Sequence, residues 1–393
     1  MQDAPMPRLP DCPGLTFAAD VPLAPRTTFG LGGPAKLLAS ATTPEAVRCA
    51  VTYAAETGRP LFVLGGGSNL LVADRGFDGV VLVPSLRGLS MAPDGRLTVA
   101  AGEPWEAVVE AAVAAGRAGV ECLTGIPGTA GAAPVQNIGA YGQEVADTLE
   151  SVEVLDRATG RIERLERAAC GFGYRDSRFK RAPEQAIVLG LTLALRGGDE
   201  PEIRYEELRR ALATAPNDAP PLARIRRAVR GVRAGKGMLL APEAPPDARR
   251  TAGSFFMNPR LTAEEAAALP ADAPRHVDDD GRVKVPAAWL IEHAGVTRGW
   301  RLGAAGVSPH HALALVAHEG ATTADVLRVA AHVRAAVWAA FGVTLSPEPV
   351  FVGFDLPPDV VLGVFTTINP ARKKVRVPGS VPAKRTPGPR HKE

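Results

Sequence analysis

Two glycine-rich runs hold the groups in this chain best suited to bind a ligand. The first is Gly125-Ile126-Pro127-Gly128-Thr129-Ala130-Gly131-Ala132-Ala133-Pro134-Val135-Gln136-Asn137-Ile138-Gly139-Ala140-Tyr141-Gly142, with too much glycine and too little charge for an ordinary surface loop. Glycine lets main-chain N–H groups approach a ligand closely, and successive N–H groups in turns form concavities that hold a pyrophosphate. The second, Gly65-Gly66-Gly67-Ser68-Asn69, follows the apolar Leu61-Phe62-Val63-Leu64. Either run alone is also compatible with a tight turn; together they point to one large dinucleotide held between separated loops. Neither matches the G-x-G-x-x-G fingerprint, and no G-x-x-x-x-G-K-[ST] occurs, which disfavours two common nucleotide folds. His310 and His311 are adjacent, so they point in different directions on a helix or strand and imply a structural or substrate-contacting role; no metal is expected.

The elements that must position these runs are legible in part. Residues 44–57 place Val47, Ala50, Val51 and Ala54 at helical spacing, with Thr43 as N-cap, Pro44 in the first turn and Gly58 beyond the end. Residues 97–101 read as a strand and 104–115 as a helix closed by Gly116. Beyond Gly142 come strands at 152–155, 162–165 and 186–195, with a turn at Ala158-Thr159-Gly160, and they suggest antiparallel pairing. Pro, Asn and Asp gather at 214–221 and Pro recurs at 242–246, bracketing a helix at 222–235 rich in arginine (Arg224, Arg226, Arg227, Arg230, Arg233) and followed by Lys236. A run of that kind is ordinarily a solvated face. Residues 323–341 carry one apolar stripe and read as scaffold. Mixed α+β architecture follows.

At 393 residues the chain exceeds what one core usually serves, and a hydrophobic fraction of 46% excludes disorder. No apolar run reaches the ~18 residues that span a bilayer, and residues 1–13 lack the order of a secretory signal, so a cytoplasmic protein without membrane insertion is expected. Cys12, Cys49, Cys122 and Cys170 are widely spaced with no C-x-x-C, which predicts free thiols. The net charge of +3 is uneven: from Arg372 onward there are eight Lys or Arg and one Glu, leaving the remainder at −4. Residues 366–393 read as a basic disordered tail with no specific nucleic-acid partner.

Leu64 to Leu71 (LGGGSNLL), the run from Gly125 to Gly142, Gly173-Tyr174-Arg175-Asp176-Ser177 and Gly253-Ser254-Phe255-Phe256 occur in an order that resembles the UDP-N-acetylenolpyruvoylglucosamine reductase family, over residues 29–353. The resemblance implies an α+β protein: an FAD-binding fold similar to the vanillyl-alcohol-oxidase/PCMH type, plus a C-terminal α+β substrate-binding domain. It implies an N-terminal extension (1–20), two FAD subdomains (21–85, joined by 345–365, and 86–218), and a substrate domain (219–344). FAD bound non-covalently, NADPH as co-substrate, and UDP-N-acetylenolpyruvoylglucosamine reduced to UDP-N-acetylmuramate for peptidoglycan synthesis come with it, as does a monomeric state. The alternative is another FAD-dependent oxidoreductase of this fold acting on an alcohol or sugar. Such enzymes often hold flavin through His or Cys, and neither run has either.

Residue roles follow from the same resemblance. Arg175, whose permanently charged fork suits a carboxylate gaining electron density, Ser254 as proton donor to carbon, and Glu348 form the implied catalytic set. Without the resemblance, Arg175 would be read as pairing with Asp176, Ser254 as a cap or turn serine, and Glu348 as a turn residue. Gly65, Gly66, Gly67, Ser68, Asn69, Gly125, Ile126, Pro127, Gly128, Gly131, Ala132, Gln136, Asn137, Gly139, Ala140 and Gly142 are assigned to the cofactor. Tyr174, Tyr205, Lys236, Asn258 and His311 are assigned to the substrate, with Tyr205 on the loop that marks one class of the family. The chain departs from relatives at Ala132-Ala133, Met257 and His310-His311, where some carry Ser-Ser, Lys and Gln-Gln.

Overall fold

Strands β1 (Leu15–Pro22) and β2 (Pro34–Ala41) pair antiparallel in the computed structural model, which describes residues 8–197, 203–214, 221–240, 245–278 and 280–363. The stretch at 215–220, the proline at 242, and the tail at 366–393 lie outside the described residues. Helix α1 (Pro44–Glu56) begins as expected: the Thr43 hydroxyl accepts the Ala46 N–H at 3.1 Å, and Gly58 follows in the left-handed region. Its buried face, Ala46, Val47, Ala50, Val51 and Ala54, packs on Leu37, Ala39, Val80 and Leu82 of the sheet. Burying each valine there stabilises the fold by about 2 kcal/mol. After β3 (Leu61–Val63) and β4 (Leu70–Val72), β5 (Phe77–Pro84) completes a sheet of order β1-β2-β5-β3 in which β5 is parallel to both neighbours.

Two expectations need correction at this end of the chain. The span 1–20 is not wholly an extension, because β1 begins at Leu15 and forms a sheet edge; its mostly exposed residues give no clean alternation to read. Cys12 and Cys49 are not free thiols but form a disulfide, closing a loop of 37 positions between the start of β1 and the exposed side of α1. Cys122 and Cys170 are free as expected, and burial pushes their thiols up to about 12 and about 11, so both stay protonated at neutral pH. Reducing the bridge should cost about 4 kcal/mol, the loop entropy returned to the unfolded chain. Melting temperature with and without dithiothreitol measures this, and a Cys49→Ala variant should lack the dithiothreitol effect.

The second sheet is antiparallel throughout, as the sequence suggests. Strands β6 (Leu89–Met91) and β7 (Arg96–Ala100) form one side, and the order runs from Ile162–Glu166 through Leu149–Asp156 and Ala186–Ala194 to β7 and β6. Helix α2 (Trp105–Ala114) covers it with Trp105, Val108, Val109 and Ala112. In the C-terminal part, the helix Thr323–Phe341 starts with a Thr322–Asp325 capping box and ends at left-handed Gly342, its stripe of Val326, Val329, Ala330, Val333 and Val337 fully buried. That core also takes in Phe29, Leu31 and Leu71 from the first part of the chain. Strand Val350–Val352 returns to pair parallel with β4. Asp74 caps the long helix from across the boundary, accepting the Thr323 and Ala324 N–H groups at 2.8 and 3.1 Å. No described helix is long and apolar enough to cross a membrane.

Candidate active site

The first turn of α2 fixes the glycine run that starts at Gly125. The Trp105 indole donates to the Leu123 carbonyl at 3.1 Å, the Trp105 N–H donates to Gly128 O at 3.0 Å, and the Glu106 carboxylate accepts from Thr124 and from the Gly125 N–H at 2.8 and 2.5 Å. Arg226 and Arg230 of the helix Pro221–Gly235 bond the same carboxylate at 2.8 and 3.0 Å. Burial would raise Glu106, but the Gly125 N–H and Arg226 outweigh it and hold the group ionised below its usual range. The arginine helix is therefore not simply a solvated face: two of its guanidinium groups lock it against the loop.

Both glycine runs meet. A Cβ on Gly66 would lie 2.6 Å from the Gly128 Cα, and one on Gly67, whose φ is +65°, would strike the Arg26 carbonyl. Ser68 donates to Pro127 O at 2.9 Å and stitches the runs together. Protein backbone, rather than a ligand alone, thus explains these two glycines. None of the five backbone N–H groups of Gly65 to Asn69 has an acceptor among the described residues, nor do those of Ile126, Gly128, Thr129 and Gln136. Unpartnered N–H groups converging from two loops are what a pyrophosphate requires.

Asn69 and Gln136 link these runs to the catalytic candidates. The Asn69 amide contacts the Gln136 Oε1 and donates to the Glu348 carbonyl at 3.2 Å, while Gln136 Nε2 donates to the Glu348 carboxylate at 2.6 Å. Arg175 Nε lies 3.5 Å from that carboxylate, and its Nη1 lies 3.7 Å from Glu144. Asp176 is not its partner; Asp176 pairs with Arg181, leaving Arg175 turned inward with Nη2 donating to Gly139 O at 2.5 Å. Ser254 is on a segment that runs antiparallel to the one carrying Glu348, joined by the Glu348 N–H to Phe255 O at 2.9 Å and Met257 N–H to Ser346 O at 3.0 Å. The half-buried Ser254 hydroxyl makes no hydrogen bond among the described residues, so the cap or turn reading does not hold. Burial raises the Glu348 carboxyl, with Arg175, Lys180 and Gln136 pulling the other way. Glu144 is likewise raised by burial against Arg175.

The substrate candidates fall into two groups. Tyr205, 51% exposed, packs edge-on against Tyr141 at 6.0 Å, and Lys236 lies 5.8 Å above the Tyr141 ring while its ammonium meets Glu207 at 2.5 Å. His311 belongs to this group, since Lys236, Glu207 and Arg298 all act on its charge. Tyr174 lies by Arg175 and Lys284, each cation 5.3 Å from its ring. Asn258 sits near Tyr174, but its Oδ1 accepts the Ala287 N–H at 2.9 Å at the start of the helix Ala287–His293. Asn137 is fully spent within the protein: its amide donates to Glu144 and Gly173 O and accepts from Ala146.

Burial, then Lys236, pulls His311 down to about 4 from the ordinary 6.5, with Glu207 opposing in part. A group with a depressed folded-state pKa stabilises above its unfolded value and loses that contribution as pH falls through the folded one. Stability should therefore drop by about 2 kcal/mol between pH 6.5 and 4, over and above the carboxylates. Urea unfolding at both pH values, beside His311→Gln, isolates the contribution; equal slopes in the two proteins would refute it.

A family profile described as an FAD binding domain matches residues 35–166, and one described as the C-terminal domain of UDP-N-acetylenolpyruvoylglucosamine reductase matches 245–352. The Streptomyces coelicolor protein of that name is 49% identical over 86% of this chain and 90% of its own length. This chain belongs to the UDP-N-acetylenolpyruvoylglucosamine reductase family. The Thermobifida fusca reductase is 45% identical, covering 87% of this chain and 99% of its own. A crystal structure of the Thermus caldophilus reductase superposes with a TM-score of 0.58 at 28% identity, over 86% of this chain and 98% of the other. As a member of this reductase family the chain is an FAD-containing oxidoreductase with a PCMH-type flavin domain and an α+β C-terminal domain, the class the sequence suggests.

Sequence reasoning on the reductase motifs missed Lys180, Glu144, Tyr141 and Glu207. Lys180 could have been found, since it follows Arg175-Asp176-Ser177 at one helical turn from the serine. Tyr141 lies inside the run from Gly125 to Gly142, but neither it nor Glu207 gave a sign of meeting Lys236, because that proximity depends on how separate helices and loops pack.

Proposed function

We propose that the chain reduces the enolpyruvyl group of UDP-N-acetylenolpyruvoylglucosamine to UDP-N-acetylmuramate in peptidoglycan synthesis, using NADPH and non-covalently bound FAD. The observation that carries this reading is the meeting of Arg175, Glu348 and the Ser254 segment beside two glycine runs with unpartnered N–H groups. Those runs fit FAD: Gly65 to Asn69, with Ile126, Gly128 and Gln136, would hold its pyrophosphate by backbone donors, and no His or Cys lies in either run to attach it covalently. Bound FAD would supply the hydride chemistry between NADPH and the enolpyruvyl methylene carbon.

The protein's part is charge and protons. Arg175 offers a guanidinium to the substrate carboxylate, stabilising the negative charge that builds as the methylene carbon is reduced. Arg175 and Lys180 balance Glu144 and Glu348, so an entering carboxylate adds a negative charge to a neutral set. The two carboxyls whose pKa is already raised are the ones able to take up a proton in response. Ser254 delivers a proton to the carbon beside the carboxylate, and buried Phe255 and Phe256 exclude water there. Lys236, with Tyr205 closing over it and His311 beside it, receives the UDP diphosphate; Tyr174 and Asn258 hold the sugar side. The purified protein should be yellow, bleach with NADPH under anaerobic conditions, and recolour on addition of UDP-N-acetylenolpyruvoylglucosamine. Acid precipitation should release FAD. Flavin that stays with the polypeptide, or colour that does not return with this substrate, is inconsistent with the reading.

A further inference from the structure

The turn that presents Arg175 has an unusual backbone. Arg175 has φ +52°, the left-handed region that L residues with long side chains rarely occupy. Gly173 and Asp176 close the turn by exchanging N–H to O bonds at 2.9 and 3.2 Å, which sets the bend but uses no atom of Arg175 itself. The Arg175 carbonyl is instead taken by the Lys180 ammonium at 3.0 Å. Lys180 is itself held in place: its N–H bonds the Ser177 hydroxyl at 3.3 Å, and that hydroxyl donates to Val135 O at 2.6 Å, next to Gln136.

We propose that Lys180 is a positioning residue for the reaction, its ammonium bonded to the Arg175 carbonyl so that the arginine keeps its left-handed backbone and faces Glu348. The inference rests on the function proposed above. A half-buried lysine that only solubilised the surface would point its nitrogen to water; this one donates inward to a main-chain oxygen of the catalytic turn. The charges around it agree. Lys180 is faced by Glu348 and Asp176, which favour its charge, and by Arg175, which opposes it; burial has the largest effect and lowers its pKa. Glu348 in turn is faced by Arg175, Lys180 and the Gln136 amide, with the Tyr174 phenol also sensing its charge. Lys180 thus both fixes the arginine and adds a second positive charge opposite the buried carboxylate.

Anaerobic stopped-flow absorbance of the holoenzyme tests this. In Lys180→Met, reoxidation of the reduced flavin by UDP-N-acetylenolpyruvoylglucosamine should slow about 30-fold, the size expected for a lost charge-assisted hydrogen bond, while reduction by NADPH changes by less than about twofold. Lys180→Arg should recover most of the loss. The pKa seen in the pH profile of the substrate step should rise in Lys180→Met, because a cation facing Glu348 is gone. A crystal structure of the variant should show residue 175 leaving positive φ. Where methionine prevents folding, Lys180→Gln keeps an amide donor without charge and should show the same split between half-reactions. Equal slowing of both half-reactions, an unchanged substrate step, or an unchanged φ at Arg175 overturns the proposal. A wild-type enzyme that never reoxidises with this substrate instead overturns the function, and the crystallographic result still decides the role of Lys180 in the turn.

Discussion

Ser254→Ala is expected to divide the catalytic cycle into one intact half and one nearly dead half. Reduction of the flavin by NADPH asks only for stacking geometry, whereas reduction of the enolpyruvyl group needs a proton delivered to carbon. Loss of a positioned general acid slows such a step about 10³-fold. The alanine variant should bleach with NADPH at close to the wild-type rate and then recolour very slowly with substrate. Ser254→Cys should keep some activity through its S–H. Folding should be little disturbed, because the Ser254 hydroxyl makes no hydrogen bond among the described residues, and the main-chain links between its segment and that of Glu348 remain. Normal recolouring in the alanine variant would falsify the assignment and move proton delivery to water or Glu348.

What the sequence reveals depends on how local the deciding interactions are. The helices Pro44–Glu56 and Thr323–Phe341 were legible because their caps and apolar stripes lie within a few residues of one another. The strand at Leu15–Pro22 was not, since an exposed edge strand needs no strict alternation. The Cys12–Cys49 bridge depends on the approach of two elements 37 positions apart. At the site, the glycine runs announced a ligand, but not that Gly66 would face Gly128 or that Asn137 would spend its amide on Glu144. Gln136 and Glu348 are 212 positions apart, and no periodicity signals their hydrogen bond. The proposed catalytic set rests on family motifs alone in the sequence. Residue type alone favoured an Arg175–Asp176 pair, which the structure replaces by an inward-facing arginine and an outward Asp176–Arg181 pair.

Removing that arginine's charge should have the second large effect, and its sign follows from the carboxylates it faces. Arg175 lowers both Glu348 and Glu144 against the burial that raises them. In Arg175→Met, Glu348 keeps its burial and retains only Lys180 and Gln136 as opposing influences, so its pKa should rise further and the pH profile of the substrate step should shift to higher pH. The same change removes the donor fork aimed at the substrate carboxylate, a loss of about 10²- to 10³-fold in the rate of that step. Arg175→Lys should rescue little, because a point charge cannot reproduce a planar fork that bonds Gly139 O while facing Glu348. Single-turnover reoxidation measured from pH 6 to 9 reads both effects. A rate loss without any shift of the profile would mean that Arg175 acts on the substrate alone, and that Glu348 does not titrate in the step that limits it.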